Sequence, residues 1–289
     1  MPTKIEKDSV TGTQTTGHDW DGVKELNTPL PTWWIYVFYA TIVWSAGYVI
    51  VYPAIPWFTG HTSGISGYTA RGEVGKDVAA ARAAQGQWRA KIEQSSLEEI
   101  AKNPDLRSFA LAGGRAAFAD NCAPCHGTGG AGGKGYPNLN DDDWLWGGSL
   151  KEINTTLQHG VRADHAKTRT SEMPRFGVDG MLKREQIDDV AEYVLSLSGK
   201  SGDKAAAERG QPLYADNCVA CHGEKGEGNR ELGAPRLDDQ IWLYGGDKGS
   251  VAQTIHAARG GVMPAWGGRL DDVTLKQLSV YVHSLGGGQ

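Results

Sequence analysis

The 289-residue sequence predicts a mainly α-helical protein with one N-terminal transmembrane helix followed by two copies of a small helical domain. Three observations support this fold class. One segment near the N-terminus is apolar and uncharged, the C-terminal part of the chain repeats itself, and each copy ends with apolar residues at helical spacing. Neither copy contains an alternating run of β-branched residues, which half-buried strands would require.

The composition excludes several classes of protein. Hydrophobic residues make up 39% of the chain and there are ten tryptophans, which argues against intrinsic disorder. The 40 glycines follow no G-x-y period and therefore indicate loop-rich globular domains rather than a collagen. The net charge of −5 is not accompanied by any basic stripe, so nucleic-acid binding is not expected.

The first predicted element is a membrane span over residues 32–57, preceded by a cytoplasmic segment over residues 1–31. Trp33 to Val51 is a nearly unbroken apolar run, long enough as a helix to cross a hydrocarbon core of about 30 Å. Aromatic residues at both ends suit the membrane interfaces, and Pro53 would end the helix. Lysines precede the span, and no Lys or Arg follows it until Arg71, so the positive-inside rule places everything after the span outside the cytoplasm.

A buried core helix and a cleaved signal peptide are the alternatives to a membrane span. The 32 residues before the apolar run contain five carboxylates, and the run is longer than a typical signal-peptide core. No A-x-A-like cleavage site follows it. These features favour a helix that spans the membrane and stays attached to the chain.

Residues 58–106 are predicted to link the span to the repeated part and to contain helix. Residues 60–75 are rich in Gly, Ser and Thr and indicate a loop, whereas residues 76–101 are rich in Ala, Gln, Glu and Arg and indicate helix. Two helix starts are predicted in this region, by a capping box at Ser96 and Glu99 and by an Asn-Pro pair at Asn103 and Pro104.

Two homologous domains are predicted over residues 107–200 and 201–289, because this part of the chain matches itself. Both copies close with an amphipathic helix pattern. The first copy holds a net eight extra residues, around positions 161–171. Three pairs of matching segments define the repeat: FADNCAPCHG at 118–127 with YADNCVACHG at 214–223, WLWGG at 144–148 with WLYGG at 242–246, and MPRFG at 173–177 with MPAWG at 263–267.

Each copy contains a Cys-x-x-Cys-His motif, which is the attachment signature of haem c. Two thioether bonds anchor one edge of the porphyrin, and the histidine of the same turn can reach the iron. A disulfide would leave this histidine unexplained, a zinc site would need the cysteine pairs closer in sequence, and a thioredoxin-like pair would need a βαβ pattern. The motifs therefore predict two covalently bound haem c groups, attached through Cys122, Cys125, Cys218 and Cys221, with His126 and His222 as iron ligands.

The second axial ligand of each iron is predicted to be a methionine. A thioether opposite histidine is common in electron-transfer haems. Met173 and Met263 occupy matching Met-Pro loops, 51 and 45 residues after the first cysteine of their own copies, whereas Met181 has no counterpart in the other copy. The proline stiffens each loop. His159 and His165 lie near the extra residues of the first copy, and either could displace Met173. A haem with both axial positions filled by protein has no open site for oxygen, so the predicted mechanism is outer-sphere electron transfer.

These motifs carry a resemblance to a known family. Residues 107–289 resemble class I cytochromes c in the Cys-x-x-Cys-His motifs, the Met-Pro loops and the closing helices. The whole arrangement resembles the membrane-anchored dihaem subunit (subunit III) of the cbb3-type haem–copper cytochrome c oxidases. The segment GHDWDG at 17–22 and the double tryptophan Trp33-Trp34 look like the part of that family that leads into the membrane, and GVMPAWGG at 261–268 is similar to its second haem loop.

The resemblance implies two tandem class I cytochrome c domains on one membrane helix of the bacterial inner membrane, with the haem domains in the periplasm. It implies that Pro137 and Pro235 accept a hydrogen bond from the iron-binding histidines. The implied partners are a cytochrome c electron donor, a mono-haem cytochrome c subunit and the catalytic haem–copper subunit. Oxygen would be reduced to water in the catalytic subunit, because nothing in this sequence supplies an oxygen site.

Two other functions compete with an oxidase subunit. A free-standing membrane dihaem cytochrome could serve a dehydrogenase or reductase, and only copurifying partners would separate this function from the first. A haem-based peroxidase or sensor would need a labile axial ligand at one haem. A shift of the spectrum with carbon monoxide in the isolated chain would favour that third function.

Overall fold

The structure, a computed structural model, describes residues 4–286, and the chain divides into two compact units, Met1–Ala84 and Gln85–Gln289. The predicted mainly α-helical fold class is confirmed. In the first unit the elements are β1 (Thr15–Trp20), β2 (Val23–Leu26), α1 (Thr32–Val51), β3 (Pro56–Trp57), β4 (Gly60–His61) and α2 (Ala70–Ala84). In the second unit they are α3 (Gly86–Gln94), α4 (Leu97–Lys102), α5 (Pro104–Asn121), α6 (Ala123–His126), α7 (Leu150–His159), α8 (Arg184–Leu197), α9 (Lys204–Asn217), α10 (Val219–His222), α11 (Lys248–Ala257) and α12 (Asp272–His283).

The first unit begins with an antiparallel hairpin of β1 and β2. Its turn residues, Asp21 and Gly22, have φ angles of 53° and 92°. A two-residue turn with both φ angles positive matches the twist of the flanking strands and favours an Asp-Gly sequence. The Asp-Gly pair therefore indicates a hairpin, which the sequence analysis did not predict.

Helix α1 contains the predicted membrane span. It carries no charged residue, its mean hydropathy is 1.6, and none of its residues is buried within the protein. The helix ends at Val51, because Tyr52 is extended and Pro53 cannot continue the hydrogen-bond ladder. The prediction of a spanning helix over residues 32–57 is therefore six residues too long at its C-terminal end, where the chain instead enters the β3–β4 hairpin.

The linker contains more helix than the sequence predicts. The expected loop over residues 60–75 is wrong in part, because β4 occupies its start and α2 begins at Ala70. Both predicted helix starts are confirmed. Ser96 and Glu99 form a complete capping box at α4, and the side chain of Asn103 accepts hydrogen bonds from two backbone N–H groups at the start of α5.

The two copies of the repeat exchange their closing helices. Helix α8, which ends the first copy, packs on α9 and α11 of the second copy, whereas α12, which ends the second copy, packs on α5 and α7 of the first. The predicted domains over 107–200 and 201–289 are thus built into one compact unit. The core around α8 consists of Phe176, Leu182, Ile187, Val190, Ala191, Val194, Leu195, Tyr214, Val251 and Ile255. The core around α12 consists of Phe118, Cys122, Ile153, Leu157, Leu275, Leu278 and Val282.

Glycines at equivalent positions of the two copies allow these helices to cross closely. A Cβ atom on Gly114 of α5 would overlap the Gln277 carbonyl oxygen of α12. A Cβ atom on Gly210 of α9 would likewise overlap the Asp189 carbonyl oxygen of α8. Backbone atoms cannot move aside as side chains can, so any larger residue would push the helices apart.

Candidate haem sites

Both Cys-x-x-Cys-His motifs have the same local structure. In the first copy Cys122 terminates α5, and the single-turn helix α6 carries Cys125 and His126. The amide of His126 donates to the Cys122 carbonyl at 2.9 Å, and the equivalent bond in the second copy also measures 2.9 Å. The one-turn geometry holds the two cysteines and the histidine of each motif close together. None of the four cysteines forms a disulfide.

Each histidine of the motifs is oriented by a proline carbonyl. Nδ1 of His126 lies 3.0 Å from the Pro137 oxygen, and Nδ1 of His222 lies 3.0 Å from the Pro235 oxygen. A ring that donates from Nδ1 keeps the lone pair of Nε2 free for a metal. Burial lowers the pKa of His222 and so favours the neutral imidazole that a metal requires.

The first cysteine of each motif is unsuited to thiolate chemistry. Burial raises the pKa of the Cys122 and Cys218 thiols to about 11 in both cases. Such thiols are neutral near pH 7, whereas redox-active pairs and metal ligands need the thiolate. Among residues 4–286 there is also no cluster of three or more His, Cys, Asp or Glu side chains that could hold a metal ion. These facts disfavour the zinc and redox-pair alternatives.

A cavity of about 630 Å³ adjoins the second motif. This volume lies in the range of cofactor sites, roughly 300–1,000 Å³. Cys218, Cys221 and His222 line the cavity together with Trp242 of the same copy. Met173 lines it as well, although that methionine belongs to the first copy. His159 and His165, the alternatives to this methionine, are not among its lining residues.

The first motif has the complementary arrangement. Cys122 belongs to the core around α12, and Met263 and Trp266 of the second copy pack against that core. Met173 and Met263 therefore both lie at the motif of the other copy, and not at the motif of their own copy, where the sequence spacing placed them. Met181 is 54% exposed and packs against neither core. Met1 lies outside the described residues.

Two tryptophans test whether these pockets fit haem. The indole Nε1 atoms of Trp144 and Trp242 are buried and have no hydrogen-bond partner in the protein. The two residues occupy equivalent positions of the repeat, and each packs against the core of its own copy's motif. An unpaired buried donor is costly, so its recurrence at both sites indicates an acceptor on the bound group. Haem carries two propionate carboxylates that can accept such bonds, so the two indole donors and the cavity at the second motif fit haem.

The structure adds a pair of arginines that the sequence predictions miss. Arg169 lies over the Trp146 ring at 5.3 Å, and Arg259 lies over the Tyr244 ring at 4.6 Å. Each guanidinium also donates to a carbonyl in the first turns of the neighbouring helix, α7 or α11. The two arginines align at the same spacing as the Met-Pro loops, so the extra residues of the first copy are 161–168. The signal was present in the sequence but hidden by the shift in spacing within this insertion.

His159 and His165 contact each other at the insertion. Their rings are stacked, with centroids 4.9 Å apart, and Nδ1 of His159 is buried without a partner. Burial, together with the positive charge expected nearby from His165, Lys167 and Arg169, lowers the pKa of His159.

An apolar helix that can span a membrane, followed by two oriented Cys-x-x-Cys-His motifs in pockets that fit haem, defines a membrane-anchored dihaem cytochrome c. Comparison with known proteins agrees with this class. Three family models match the chain: the N-terminal domain of cytochrome oxidase-cbb3, FixP, over residues 12–59, cytochrome c over residues 111–198, and cytochrome C oxidase, cbb3-type, subunit III over residues 205–282.

The chain belongs to the family of FixP and CcoP subunits of the cbb3-type cytochrome c oxidases. It is 54% identical over 290 residues to the cbb3-type cytochrome c oxidase subunit FixP of Bradyrhizobium diazoefficiens, with 100% of both chains covered. It is 53% identical over 291 residues to the subunit CcoP of Azospirillum brasilense, with 98% of this chain and 99% of that protein covered. The predicted family, the two covalently bound haem c groups and the role as a membrane-anchored electron-transfer subunit are thereby confirmed.

Proposed function

We propose that this subunit receives electrons from a cytochrome c donor and passes them, through a mono-haem cytochrome c subunit, to the haem–copper subunit that reduces oxygen to water. Membership of the cbb3 family supports the oxidase as the destination. We expect oxygen reduction to take place in the catalytic subunit. The chain described here would serve as the electron inlet of the complex.

The proposed haem sites are composite. Cys122 and Cys125 attach one haem and Cys218 and Cys221 the other. The first iron is bound by His126 and Met263, and the second by His222 and Met173. The observation that carries this crossed pairing is the shared cavity of His222 and Met173, with Met263 at the opposite core.

The side chains around each haem set its function. The bound haem supplies a one-electron redox couple. The carbonyls of Pro137 and Pro235 hold the two imidazole rings in one orientation. Met173 lines the cavity at the second motif, and Met263 packs against the core that contains Cys122. With a histidine and a methionine as its ligands, each haem iron would have no coordination position left for oxygen or substrate. Such a site transfers electrons without binding a reactant.

We further propose that the N-terminus lies in the cytoplasm and both haem sites in the periplasm. Lys4, Lys7 and Lys24 precede α1, whereas no Lys or Arg follows it before Arg71. A reporter enzyme that is active only in the periplasm tests this topology. Fused after residue 289 it should be active, and fused before residue 1 it should be inactive. The reverse pattern would contradict the orientation.

The pyridine haemochrome spectrum of the affinity-purified complex tests the function. The tagged full-length chain is extracted in mild detergent, and the haems that copurify are counted per chain. The oxidase assignment requires b-type haem and more than two c-type haems per chain, with oxygen uptake in the same fraction. Two c-type haems and no b-type haem, in a preparation chemically crosslinked before extraction, would contradict it. Crosslinking keeps loss of partners in detergent from being mistaken for their absence.

A further inference from the structure

The insertion at residues 161–168 is the one large difference between the two copies. Its ends are held together, because Arg162 N donates to the Arg169 carbonyl at 2.8 Å and Arg169 N donates to the Gly160 carbonyl at 3.1 Å. The insertion also contacts the methionine loop of the second copy. Val161 and Met263 exchange two backbone hydrogen bonds, of 2.9 and 3.0 Å.

The side chain of Arg162 contacts both methionine loops. Its Nε donates to the Gly261 carbonyl at 2.7 Å, and its Nη1 donates to the Ser171 carbonyl at 3.3 Å. Gly261 stands two residues before Met263, and Ser171 stands two residues before Met173. The two acceptors are therefore equivalent positions of the repeat, joined by a single guanidinium.

The backbone conformation and surroundings of Arg162 suit its contacts with the two loops. Its φ angle is 51°, a left-handed conformation that is unfavourable for a residue with a Cβ atom. Within the described part of the chain, no carboxylate lies within ion-pair distance of its guanidinium. The side chain lines the cavity that Met173 also lines. The planar guanidinium has several donors in fixed directions, which allows it to bind two carbonyls at once.

We propose that Arg162 is a positioning residue that ties the two methionine loops together, so that methionine ligation at one haem depends on the loop of the other. This inference rests on the proposed axial ligands. The insertion of the first copy then has a function, because it supplies a side chain that joins the two pseudo-equivalent loops. Loss of this side chain should loosen both loops together.

Imidazole titration of the ferric, full-length holo-protein in detergent tests the tie, because imidazole competes with the methionine for the iron. Met173→Ala and Met263→Ala first assign the two binding steps to the two haems. Arg162→Ala should then raise the imidazole affinity at both haems roughly tenfold, which corresponds to about 1.4 kcal/mol for each. Lys167→Gln, which removes a charge from the same insertion without touching either loop, should leave both affinities unchanged.

The outcomes distinguish the proposed link between the two methionine loops from the axial-ligand assignment. If Arg162→Ala raises the imidazole affinity at only one haem, or at neither, the proposed link between the loops is wrong. If Met173→Ala and Met263→Ala fail to raise the affinity, the axial assignment fails instead. Arg162→Lys keeps the charge but not the two-pronged contact, so it should behave like Arg162→Ala. Wild-type affinities in the lysine variant would assign the effect to charge and overturn the proposal.

Discussion

Met173 of the first copy and His222 of the second copy line the same cavity. Under the proposed pairing of ligands, neither copy of the repeat contains all the residues of its own haem site. The closing helices follow the same exchange, since α8 and α12 each pack on the opening helix of the other copy. The residues of both proposed haem sites thus lie within one compact unit, Gln85–Gln289, rather than in two separate domains.

The helix crossings should be sensitive to any added side-chain volume. Gly114→Ala would place a Cβ atom against the backbone of Gln277, and we expect a loss of about 1–3 kcal/mol in the free energy of unfolding. Gly113→Ala is the matched control, because the nearest atoms to its Cβ would be those at the end of the Gln277 side chain, which can shift more easily than backbone. Thermal unfolding of the two holo-proteins measures the difference. Equal unfolding temperatures would contradict the close packing of α5 on α12.

A buried carboxylate joins the end of the first copy to the second. Glu192 is 4% exposed and accepts hydrogen bonds from Ser201 Oγ at 2.8 Å and from the amide of Gly202 at 3.1 Å, while Lys248 Nζ lies 3.0 Å away. Burial raises the pKa of Glu192, but the hydrogen bonds from Ser201 and Lys248 outweigh this effect and leave the pKa below its usual value.

We expect Glu192→Ala to destabilise the protein by about 1–3 kcal/mol at pH 7, because it removes the charge-assisted hydrogen bonds from Ser201 and Gly202 and the ion pair with the half-exposed Lys248. A carboxyl with a lowered pKa stabilises the fold above its unfolded-state pKa and loses that contribution as the pH falls through its folded-state pKa. The difference in the free energy of unfolding between wild type and variant should therefore be smaller in acid. Glu185→Ala, exposed on the same helix, is the control. Denaturant unfolding at pH 7 and pH 4 measures the stability of both variants. A difference between wild type and Glu192→Ala that is larger at pH 4 than at pH 7 would contradict this prediction.

Asp143 should have the opposite pH dependence. Burial, followed by the nearby carboxylates of Asp239 and Asp141, raises the pKa of Asp143 to about 6. A carboxyl with a raised pKa favours the fold below its unfolded-state pKa and loses that contribution as the pH rises through its folded-state pKa. Asp143→Asn should therefore stabilise the protein by about 1–2 kcal/mol at pH 7.5 and have little effect at pH 4.

Unfolding at the two pH values checks the Asp143 prediction. Asp142→Asn is a matched control, because Asp142 is the exposed neighbour. If both variants are stabilised equally at pH 7.5, the cause is the change in net charge. That result would contradict an effect of the local environment of Asp143.

The sequence and the structure differ most in how the copies combine. The helix starts at Ser96 and Asn103 depend on neighbouring residues alone, so local patterns could predict them. The sequence spacing pairs each methionine with the histidine of its own copy, and the proposed exchange of Met173 and Met263 departs from that prediction. Both copies carry the same ligand types, so spacing alone does not show which methionine lies at which motif. The packing of α8 on α9 and of α12 on α5, which sequence spacing does not show, supports the proposed crossed pairing. The Arg169 and Arg259 pair was obscured by the insertion, which changes the spacing between the copies.

Replacement of one methionine should change one haem only. Met263→His should lower the reduction potential of that haem by on the order of 0.1 V, within the ~0.8 V range set by axial ligands, because imidazole stabilises ferric iron more than a thioether does. The other haem should keep its potential. Met181→Leu, at an exposed position, is the control. A redox titration of the full-length holo-protein measures both potentials, and two unchanged potentials would contradict the assignment of Met263.

The crossed pairing is tested most directly in a variant that retains one haem. Cys218→Ala with Cys221→Ala removes the second attachment site, and the absorption band of methionine-bound ferric haem in this parent variant shows that the remaining site is intact. Adding Met263→Ala should abolish the band, whereas adding Met173→Ala should preserve it. Loss of the band with Met173→Ala and its retention with Met263→Ala would contradict the composite sites.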